Sequence, residues 1–324
     1  TIIKEEHVGG IVNRVELANQ VSFLNRSALM RTLSNFGQGE QVVIDARTTD
    51  YIDPDIYGLI QTFRDEIAPA HGVIVSLIGF KNNYRLTDHV QYVDVTTREV
   101  QEKLTPARVL QVLKDGNERF VSGRRLQRDL IRQVDATSDG QHPMAVVLSC
   151  IDSRSPAEIL FDLGLGDIFS VRLAGNVLSR KVLGSMEFAC KVAGAKLILV
   201  LGHTSCGAVK ATCDIVGKGL DTVQATGLTN LPSLVEPISK AVHMETTTMQ
   251  NRDGSNYEFV DRVAAIHVHN VMLAIRQGSP TLRDMIDAGQ IQVAGAMYNV
   301  KSGQVEFMSA VDANRELAAD TVAK

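Results

Sequence analysis

The sequence predicts an α/β protein with a small α/β domain over residues 1–98 and a second domain, with a mostly parallel sheet flanked by helices, over residues 99–324. A chain of 324 residues is long for one domain and suits two. The short aliphatic runs at 144–148 and 197–201 are typical of buried parallel strands. Segments with apolar residues at helical spacing lie between such runs, and this alternation indicates an α/β sheet.

The first domain is expected to follow the order β-β-α-β-α-β. Its segments are two early strands within residues 9–24, a helix over 25–36, a buried strand over 41–46, a helix over 51–68 and a core strand over 72–80. The second helix has a clear start, because Asp53 can cap it, Pro54 suits the first helical position and Asp55 meets the positive end of the helix dipole.

The second domain begins with an amphipathic segment over residues 104–125, after a short ordered join over 93–102. Thr105 and Pro106 signal a helix start, and Gly116-Asn117 predicts an interruption. The polar stretch over 220–257 is interpreted as a variable insert with broken helices. The remaining segments are a helix over 259–277, strands over 291–300 and 303–308, and a polar tail from Ala313.

The composition excludes several classes of protein. A net charge of −4 shows no basic excess, so no nucleic-acid partner is expected. The longest apolar runs fall far short of the roughly 20 residues that a membrane helix needs, so the chain as given is expected to be soluble. Four cysteines in 324 residues favour a reducing cytosol over a disulfide framework.

Metal-ligand side chains follow two of the aliphatic runs. Cys150 comes after the run at 144–148, and His203 and Cys206 come after the run at 197–201. Two parallel strands lying side by side would bring these three residues together at one edge of the sheet. Two thiolates and one imidazole form a soft tetrahedral set with one position left open, which predicts a catalytic zinc. The alternative is two core cysteines and a loop histidine.

The remaining cysteines and a histidine pair are weaker candidates. Cys190 and Cys213 lie in helix-like stretches and are interpreted as small buried hydrophobic residues. His267 and His269 are two positions apart on a predicted helix and face different directions, so they are not expected to bind a metal together.

Four motifs resemble successive landmarks of the β-class carbonic anhydrases, in the same order. They are CIDSR at 150–154, GDIFSVRLAGNVL at 166–178, LGHTSCGAV at 201–209 and GAMYNVKSGQVEF at 295–307. The resemblance extends over about residues 104–308. It implies reversible hydration of CO2 to bicarbonate, with one Zn²⁺ per chain held by Cys150, His203 and Cys206. Leu173 and Asn299 depart from the residues common in that family, but neither is a predicted ligand.

The same resemblance implies roles for residues around the ligands. Asp152 and Arg154 are the expected catalytic residues, because a guanidinium keeps a nearby carboxylate ionised and in place. The alternative is an ordinary loop salt bridge. Supporting roles fall to Arg172, Gly175, Asn176 and Gly207. The chain has no Trp, and Val147 stands near the position where some members carry one for a second, inhibitory bicarbonate pocket, so that pocket is not expected.

Helices at the amino-terminal end of the carbonic anhydrases that this chain resembles pack across a partner subunit. The segment over 104–113 has an apolar face that a lone chain would leave exposed. A two-fold homodimer or a higher oligomer is therefore expected.

Residues 8–92 resemble the STAS domain shared by sulfate transporters and anti-sigma-factor antagonists, through segments such as FLNRSAL, VVIDA and YIDPDIYGLI. In the antagonists, a short acidic turn carries a phosphorylatable Ser where this chain has Asp55. A phosphoserine switch is therefore not expected there. Asp53 and Asp55 are either helix-capping residues or a regulatory docking surface whose charge is permanent.

STAS domains also form the cytoplasmic tails of SulP-type anion transporters, and some of those tails resemble a STAS domain followed by a β-carbonic anhydrase. A start at Thr1 fits a membrane domain preceding this chain. The expectation is a tail on the cytoplasmic side of the inner membrane, serving a bicarbonate transporter. The alternatives are a non-catalytic bicarbonate-sensing or scaffolding tail and a related zinc lyase acting on CS2 or COS.

Overall fold

The computed structural model describes residues 2–7, 10–80, 96–126, 128 and 130–308. The chain divides into two compact units, the first comprising Thr1–Val95 with Leu126–Ala136 and the second Thr96–Arg125 with Thr137–Lys324. Part of the predicted join and the polar tail predicted from Ala313 lie outside the described residues. Within the described ranges, no helix has the length and apolar character needed to cross a membrane.

The strands of the first unit form one main sheet and one short pair. They are β1 (Ile2–His7), β2 (Gly10–Glu16), β3 (Gln20–Val21), β4 (Gln41–Asp45), β5 (Tyr51–Ile52) and β6 (Ile74–Ile78). The sheet order is β1-β2-β4-β6, with β1 antiparallel to β2 and the other pairs parallel, while β3 pairs with β5.

The second unit contains a five-stranded sheet. Its strands are β7 (Ala145–Ser149), β8 (Ile168–Arg172), β9 (Leu197–His203), β10 (Gln292–Tyr298) and β11 (Val305–Phe307). The order is β11-β10-β9-β7-β8, and only the β10–β11 pair within it is antiparallel. The predicted α/β class and mostly parallel sheet are confirmed.

Helices flank both sheets. In chain order they are α1 (Arg26–Ser34), α2 (Pro54–Thr62), α3 (Ala68–Ala70), α4 (Arg98–Lys103), α5 (Pro106–Val121), α6 (Leu130–Ala136), α7 (Ala157–Leu160), α8 (Arg180–Glu187), α9 (Gly207–Gly217), α10 (Thr222–Thr226), α11 (Pro232–Met244), α12 (Tyr257–Gly278) and α13 (Pro280–Asp287). Two π-helical turns, Phe63–Ile67 and Phe188–Val192, extend α2 into α3 and lengthen α8.

The start of α2 is as predicted. The Asp53 carboxylate accepts a hydrogen bond of 3.0 Å from the Asp55 amide, and Pro54 occupies the first helical position. This bond satisfies one of the backbone donors that every helix start leaves unpaired. Asp53 is therefore a helix cap, and Asp55 lies exposed in the first turn.

A buried ion cluster ties β2 to the end of β4 in the first unit. Asp45 accepts from fully buried Arg14 at 2.8 Å and from Arg47 at 2.6 Å. Burial alone would raise the pKa of Asp45, but the hydrogen bonds from Arg47 and Arg14 outweigh it and hold that pKa below its usual value. The two arginines thus keep a buried carboxylate charged.

The predicted interruption at Gly116-Asn117 is wrong, because α5 runs through both residues. Gly116 lets the helix approach the next segment closely, since an added Cβ would lie 1.9 Å from the Phe161 carbonyl oxygen. Asn117 donates to the carbonyls of Leu160 (3.1 Å) and Gly303 (3.0 Å). These contacts outweigh the low helix propensity of the pair, which costs roughly 1 kcal/mol for Gly.

The apolar face of α5 is also covered by its own chain. Val109, Val112 and Leu113 are at most 1% exposed within the single protomer. The expectation that a lone chain would leave this face exposed is therefore wrong. Segments distant in sequence bury the face within the same chain.

The stretch over 220–257 is better ordered than the predicted insert with broken helices. Its helix α11 buries Ile238, Ala241 and Val242 in the cluster that also contains Cys150 and Cys206. The sequence did not predict this helix, because Pro237 lies inside it and proline disfavours a helix interior, and because polar residues surround it. The predicted helix over 259–277 and the last two strands are confirmed as α12, β10 and β11.

Gly116→Ala should lower the free energy of unfolding by roughly 2 kcal/mol, because its methyl group would overlap a backbone carbonyl that no side-chain rotation can move. Gly184→Ala in α8 is the matched control, since no heavy atom lies within 4 Å of its added Cβ. It should be neutral or stabilise the protein by up to about 1 kcal/mol. Urea unfolding followed by circular dichroism measures both, and equal midpoints for the two variants would contradict the close-packing explanation.

Candidate metal centre

The three predicted ligands converge at the carboxyl ends of two neighbouring strands. β7 and β9 pair in parallel, with Ser149 opposite Leu201. Cys150 follows β7 directly, His203 is the last residue of β9, and Cys206 is the cap residue that precedes α9. The side-by-side arrangement predicted for these strands is confirmed, and it brings the three side chains to one point.

The ligand atoms form a compact and buried group. The sulfur atoms of Cys150 and Cys206 are 4.0 Å apart, and both lie within 4.8 Å of a His203 ring nitrogen. All three residues are at most 4% exposed. Apolar side chains, among them Val177, Ile238 and Phe259, pack around the two cysteines, so the group sits in a dry surrounding.

This donor set fits zinc. Two thiolates bound 2.3 Å from one tetrahedral zinc would lie about 3.8 Å apart, close to the observed sulfur separation. His203 Nδ1 lies 2.9 Å from the Thr204 carbonyl, to which it can only donate, so Nε2 carries the lone pair that a metal needs. Nε2 is buried without a hydrogen-bond partner among the described residues. A buried, unpaired acceptor beside two thiols is the environment that a metal ion completes.

The two thiols are electrostatically different. The hydrogen bond with Cys206 is the largest effect on the pKa of Cys150 and lowers it against the opposing effect of burial. The same hydrogen bond and burial raise the pKa of Cys206. Cys150 is therefore the first of the pair to form a thiolate, and the positive charge of a bound metal is what makes both thiolates favourable.

Asp152 and Arg154 form a bidentate pair beside the ligands. Arg154 Nε donates to Asp152 Oδ1 at 3.0 Å and Nη2 to Oδ2 at 2.8 Å, while Oδ2 lies 4.0 Å from His203 Nε2. The Arg154 hydrogen bonds are the main reason that the pKa of Asp152 is held well below its usual range. The Arg154 side chain is 52% exposed, so solvent screens part of this attraction.

Two of the predicted supporting residues contact the Cys150 segment. Arg172 donates from Nε to the Cys150 carbonyl at 3.0 Å and from Nη2 to the Asp152 carbonyl at 2.5 Å. The Gly175 amide donates to Cys150 Sγ at 3.4 Å. Gly175 has φ +64°, and a Cβ there would lie 2.6 Å from Ile238. Glycine is therefore required by both backbone conformation and space.

The other two supporting residues have no direct contact of this kind. Asn176 is buried with φ +43°, and its Nδ2 has no partner among the described residues. Gly207 begins α9 and is exposed, with no atom within 4 Å of an added Cβ. The geometry does not require glycine at position 207.

Sequence reasoning missed Asp261 on α12. Its carboxylate accepts from the Ser205 amide at 2.7 Å and so fixes the turn between His203 and Cys206, where Ser205 has φ +55°. Burial raises the pKa of Asp261. An acidic residue among the apolar positions of the predicted helix over 259–277 was the available signal.

The weaker candidates lie outside the site. Cys190 and Cys213 are buried, and burial raises the pKa of each thiol to about 12. Over the described ranges, the only cluster of three or more His, Cys, Asp or Glu residues suited to a metal ion is Cys150, His203 and Cys206. His267 is buried and bonds a backbone carbonyl instead.

Comparisons with known proteins bear on this geometry. The profile of the family described as carbonic anhydrase matches residues 145–305. The chain is 37% identical over 210 residues to a carbonic anhydrase of Mycolicibacterium smegmatis, covering 63% of this chain and 94% of that protein. It is also 37% identical over 202 residues to carbonic anhydrase 2 of Mycobacterium tuberculosis, covering 61% and 91%.

Solved structures of carbonic anhydrases also match this chain. The β-carbonic anhydrase CafA of Aspergillus fumigatus matches with a TM-score of 0.47 and 25% identity, covering 66% of this chain and 97% of that one. A tetrameric β-carbonic anhydrase of Sordaria macrospora matches with a TM-score of 0.45 and 20% identity, covering 55% and 90%. The sequence relatives, the matched profile and the buried Cys-His-Cys group together show that this chain belongs to the β-carbonic anhydrase family.

Proposed function

We propose that this chain hydrates CO2 reversibly with Asp152 and Arg154 as its catalytic residues, and that it forms the cytoplasmic part of a SulP-type anion transporter. The enzymatic part of the proposal rests on one observation. A buried Cys150, His203 and Cys206 group lies beside an ionised carboxylate whose oxygen is 4.0 Å from His203 Nε2.

The mechanism divides the work between the ligands and the ion pair. Cys150, His203 and Cys206 would hold a zinc ion, which would supply the Lewis-acid chemistry that makes water a nucleophile toward CO2 at neutral pH. Asp152 has a low pKa, so it stays ionised and accepts a hydrogen bond from the attacking water. That bond turns an oxygen lone pair toward the carbon. The reaction ends with bicarbonate and a proton released to solvent.

Arg154 acts on Asp152 by position as well as by charge. Its two hydrogen bonds engage both carboxylate oxygens, and the Arg154 backbone amide adds a third at 2.9 Å to Oδ1. A carboxylate anchored in this way is kept from moving onto the open ligand position.

A non-catalytic sensing or scaffolding tail is the rival function. The complete set of three ligands, Asp152 and Arg154 favours the enzyme, because a decayed site would be expected to lose one of them. A lyase acting on CS2 or COS would use the same groups. Parallel assays with CO2, CS2 and COS distinguish these substrates.

The transporter part of the proposal rests on the resemblance of residues 8–92 to STAS domains. Asp55 supports it as the centre of a docking surface, because it places permanent negative charge at the exposed start of α2, while Asp53 caps the same helix. Conversion at the cytoplasmic mouth has a physical purpose, since CO2 crosses lipid while the charged bicarbonate does not.

An oligomer is part of the proposal, formed through a surface other than α5. Phe188 and Val192 are 56% and 70% exposed on the π-helical turn after α8, and the Phe188 ring lies 6.4 Å from that of Phe169 in β8, an edge strand of its sheet. Phe188 also lines a groove of about 580 Å³ with Phe169 and Val171. Exposed apolar groups along an open sheet edge are typical of a subunit interface.

Purified protein should contain about one zinc per chain, and Cys206→Ser should lose it because one of only three protein ligands is removed. Cys190→Ala is the control, since Cys190 is buried outside the cluster and should leave the zinc content unchanged. Elemental analysis after dialysis against a chelator measures both. Equal zinc in the Cys206 variant and the wild type would show that the ligand assignment is wrong.

Asp152→Asn should keep zinc but lower CO2 hydration by on the order of 100-fold, because the amide is not a charged acceptor for the hydrogen bond from the attacking water. In Arg154→Ala the pKa of Asp152 rises toward its usual range near 4, so the carboxylate is still ionised at neutral pH. Freed from its anchor, it competes for the open ligand position. Stopped-flow hydration should therefore show activity that recovers as pH rises. A loss that is equal at every pH would refute the anchoring role of Arg154.

Light scattering at micromolar concentration should show a dimer or a higher oligomer. A Phe188→Ser, Val192→Ser double variant should shift it toward monomer, because it removes two exposed apolar side chains from the π-helical turn after α8. Leu228→Ser is the control, as it changes a side chain that is 56% exposed but does not line the groove. A fully active wild-type monomer would sink the oligomer proposal.

Cells expressing a full-length transporter that contains this chain should take up less labelled inorganic carbon when Cys150 is replaced by Ala. The reason is that interconversion of CO2 and bicarbonate beside the pore changes the bicarbonate concentration gradient across the membrane, and the Cys150 variant would lack this activity. A Leu228→Ser version controls for expression, because Leu228 is exposed and lies outside both the metal centre and the groove. Identical uptake by the Cys150→Ala and control versions, together with a parent gene that encodes no membrane segment, would leave only the lyase.

A further inference from the structure

A buried histidine on α12 contacts the loop behind the metal centre. His267 is 2% exposed, and its Nε2 lies 2.9 Å from the Gly175 carbonyl oxygen. A carbonyl oxygen can only accept, so Nε2 carries the proton and donates. The other ring nitrogen, Nδ1, is buried without a partner among the described residues.

The ring is neutral under ordinary conditions. Burial lowers the pKa of His267 to about 4, and the hydrogen bond to Gly175 opposes this shift only in part. A neutral imidazole has one N–H, and the geometry commits it to Gly175. His267 therefore donates its only N–H to a backbone carbonyl whose residue contacts a zinc ligand. The ring keeps this orientation although Nδ1 is left without a hydrogen bond, which costs free energy.

Gly175 transmits this contact to the metal centre. Its amide donates to Cys150 Sγ at 3.4 Å, while its carbonyl accepts from His267. The residue has φ +64°, and the space for a Cβ is filled by Ile238 at 2.6 Å and Ala208 at 3.3 Å. A glycine can leave this conformation easily unless neighbouring groups hold it. His267 is such a group, because it fixes the carbonyl side of the same residue.

We propose that His267 is a positioning residue that, by donating to the Gly175 carbonyl, holds the Gly175 amide against the Cys150 sulfur and so tunes this thiolate as a zinc ligand. A hydrogen bond to a thiolate stabilises its charge and lowers the energy of its lone pair. Without it, the Cys150 sulfur would be held less firmly in the position that a metal needs.

The test uses the full chain loaded with zinc or with cobalt(II). His267→Leu removes the donor, and zinc affinity measured by chelator competition should fall roughly 10- to 100-fold, the usual effect of losing an outer hydrogen bond at a metal site. In the cobalt-loaded protein, the sulfur-to-cobalt charge-transfer band should move to longer wavelength, because the sulfur lone pair rises in energy.

His267→Gln separates the hydrogen bond from simple packing. Its amide nitrogen reaches about as far as imidazole Nε2, so it should restore zinc affinity and the cobalt band to nearly wild-type values. His267→Asn places its amide near the Nδ1 position, cannot reach Gly175, and replaces the Leu variant if that one does not fold. His269→Leu on the same helix should change neither measurement.

The inference rests on the zinc site of the proposed function, but the outcomes are distinguishable. A wild type that binds no zinc would overturn the proposed function itself. Zinc affinity and cobalt spectra unchanged in the Leu and Asn variants would overturn only the role of His267. A Gln variant as impaired as the Leu variant would also overturn it, because the effect would then come from packing.

Discussion

The parallel pairing of β7 with β9 is the constraint on which the metal centre depends. The register sets Ser149 opposite Leu201, so the segments that follow β7 and β9 leave the sheet at the same edge, within two residues of each other. Cys150 and His203 therefore lie close together without long loops, and a single tight turn places Cys206 beside them. A slip of the register by one residue would turn these side chains to opposite faces of the sheet.

The helices behind the sheet convert this approximate convergence into a fixed geometry. Helix α12 is tied by Asp261 to the turn before Cys206 and by His267 to the loop that contacts Cys150. Helix α11 closes the remaining space around Gly175 through Ile238. Buried polar side chains are costly unless they are hydrogen-bonded, and here those bonds are made to the backbone of the ligand loops. The same contacts therefore satisfy the buried groups and position the ligands.

Buried ion pairs connect elements in both units, as Arg119 and Asp162 do at 2.7 Å in the second unit, and a further pair lies at the rim of the metal centre. In the first unit, Arg14 and Arg47 neutralise the buried Asp45, and the cluster connects two strands. In the second unit, Arg154 pairs with Asp152 at the rim of the site, where half of the guanidinium side chain meets solvent. Solvent screens a rim pair more than a buried one, and the Arg154 hydrogen bonds still keep Asp152 ionised, as its proposed role as a hydrogen-bond acceptor requires. The ion pairs of Asp45 thus connect two strands, while the pair of Arg154 and Asp152 holds the carboxylate that we propose as catalytic.

The sequence by itself determined the α/β class, the three ligands, the Asp152 and Arg154 pair and the cap at Asp53. Each of these depends on residue types within a few positions of one another, or on strands whose aliphatic runs mark their own ends. Only the tertiary structure showed that Gly116 and Asn117 continue a helix, that the apolar face of α5 is covered within the protomer, and that α11 is a core helix. It also revealed Asp261 and His267. These features depend on contacts with backbone groups far away in the chain, such as those of Phe161, Ser205 and Gly175. Local sequence patterns do not indicate which distant residues will be in contact.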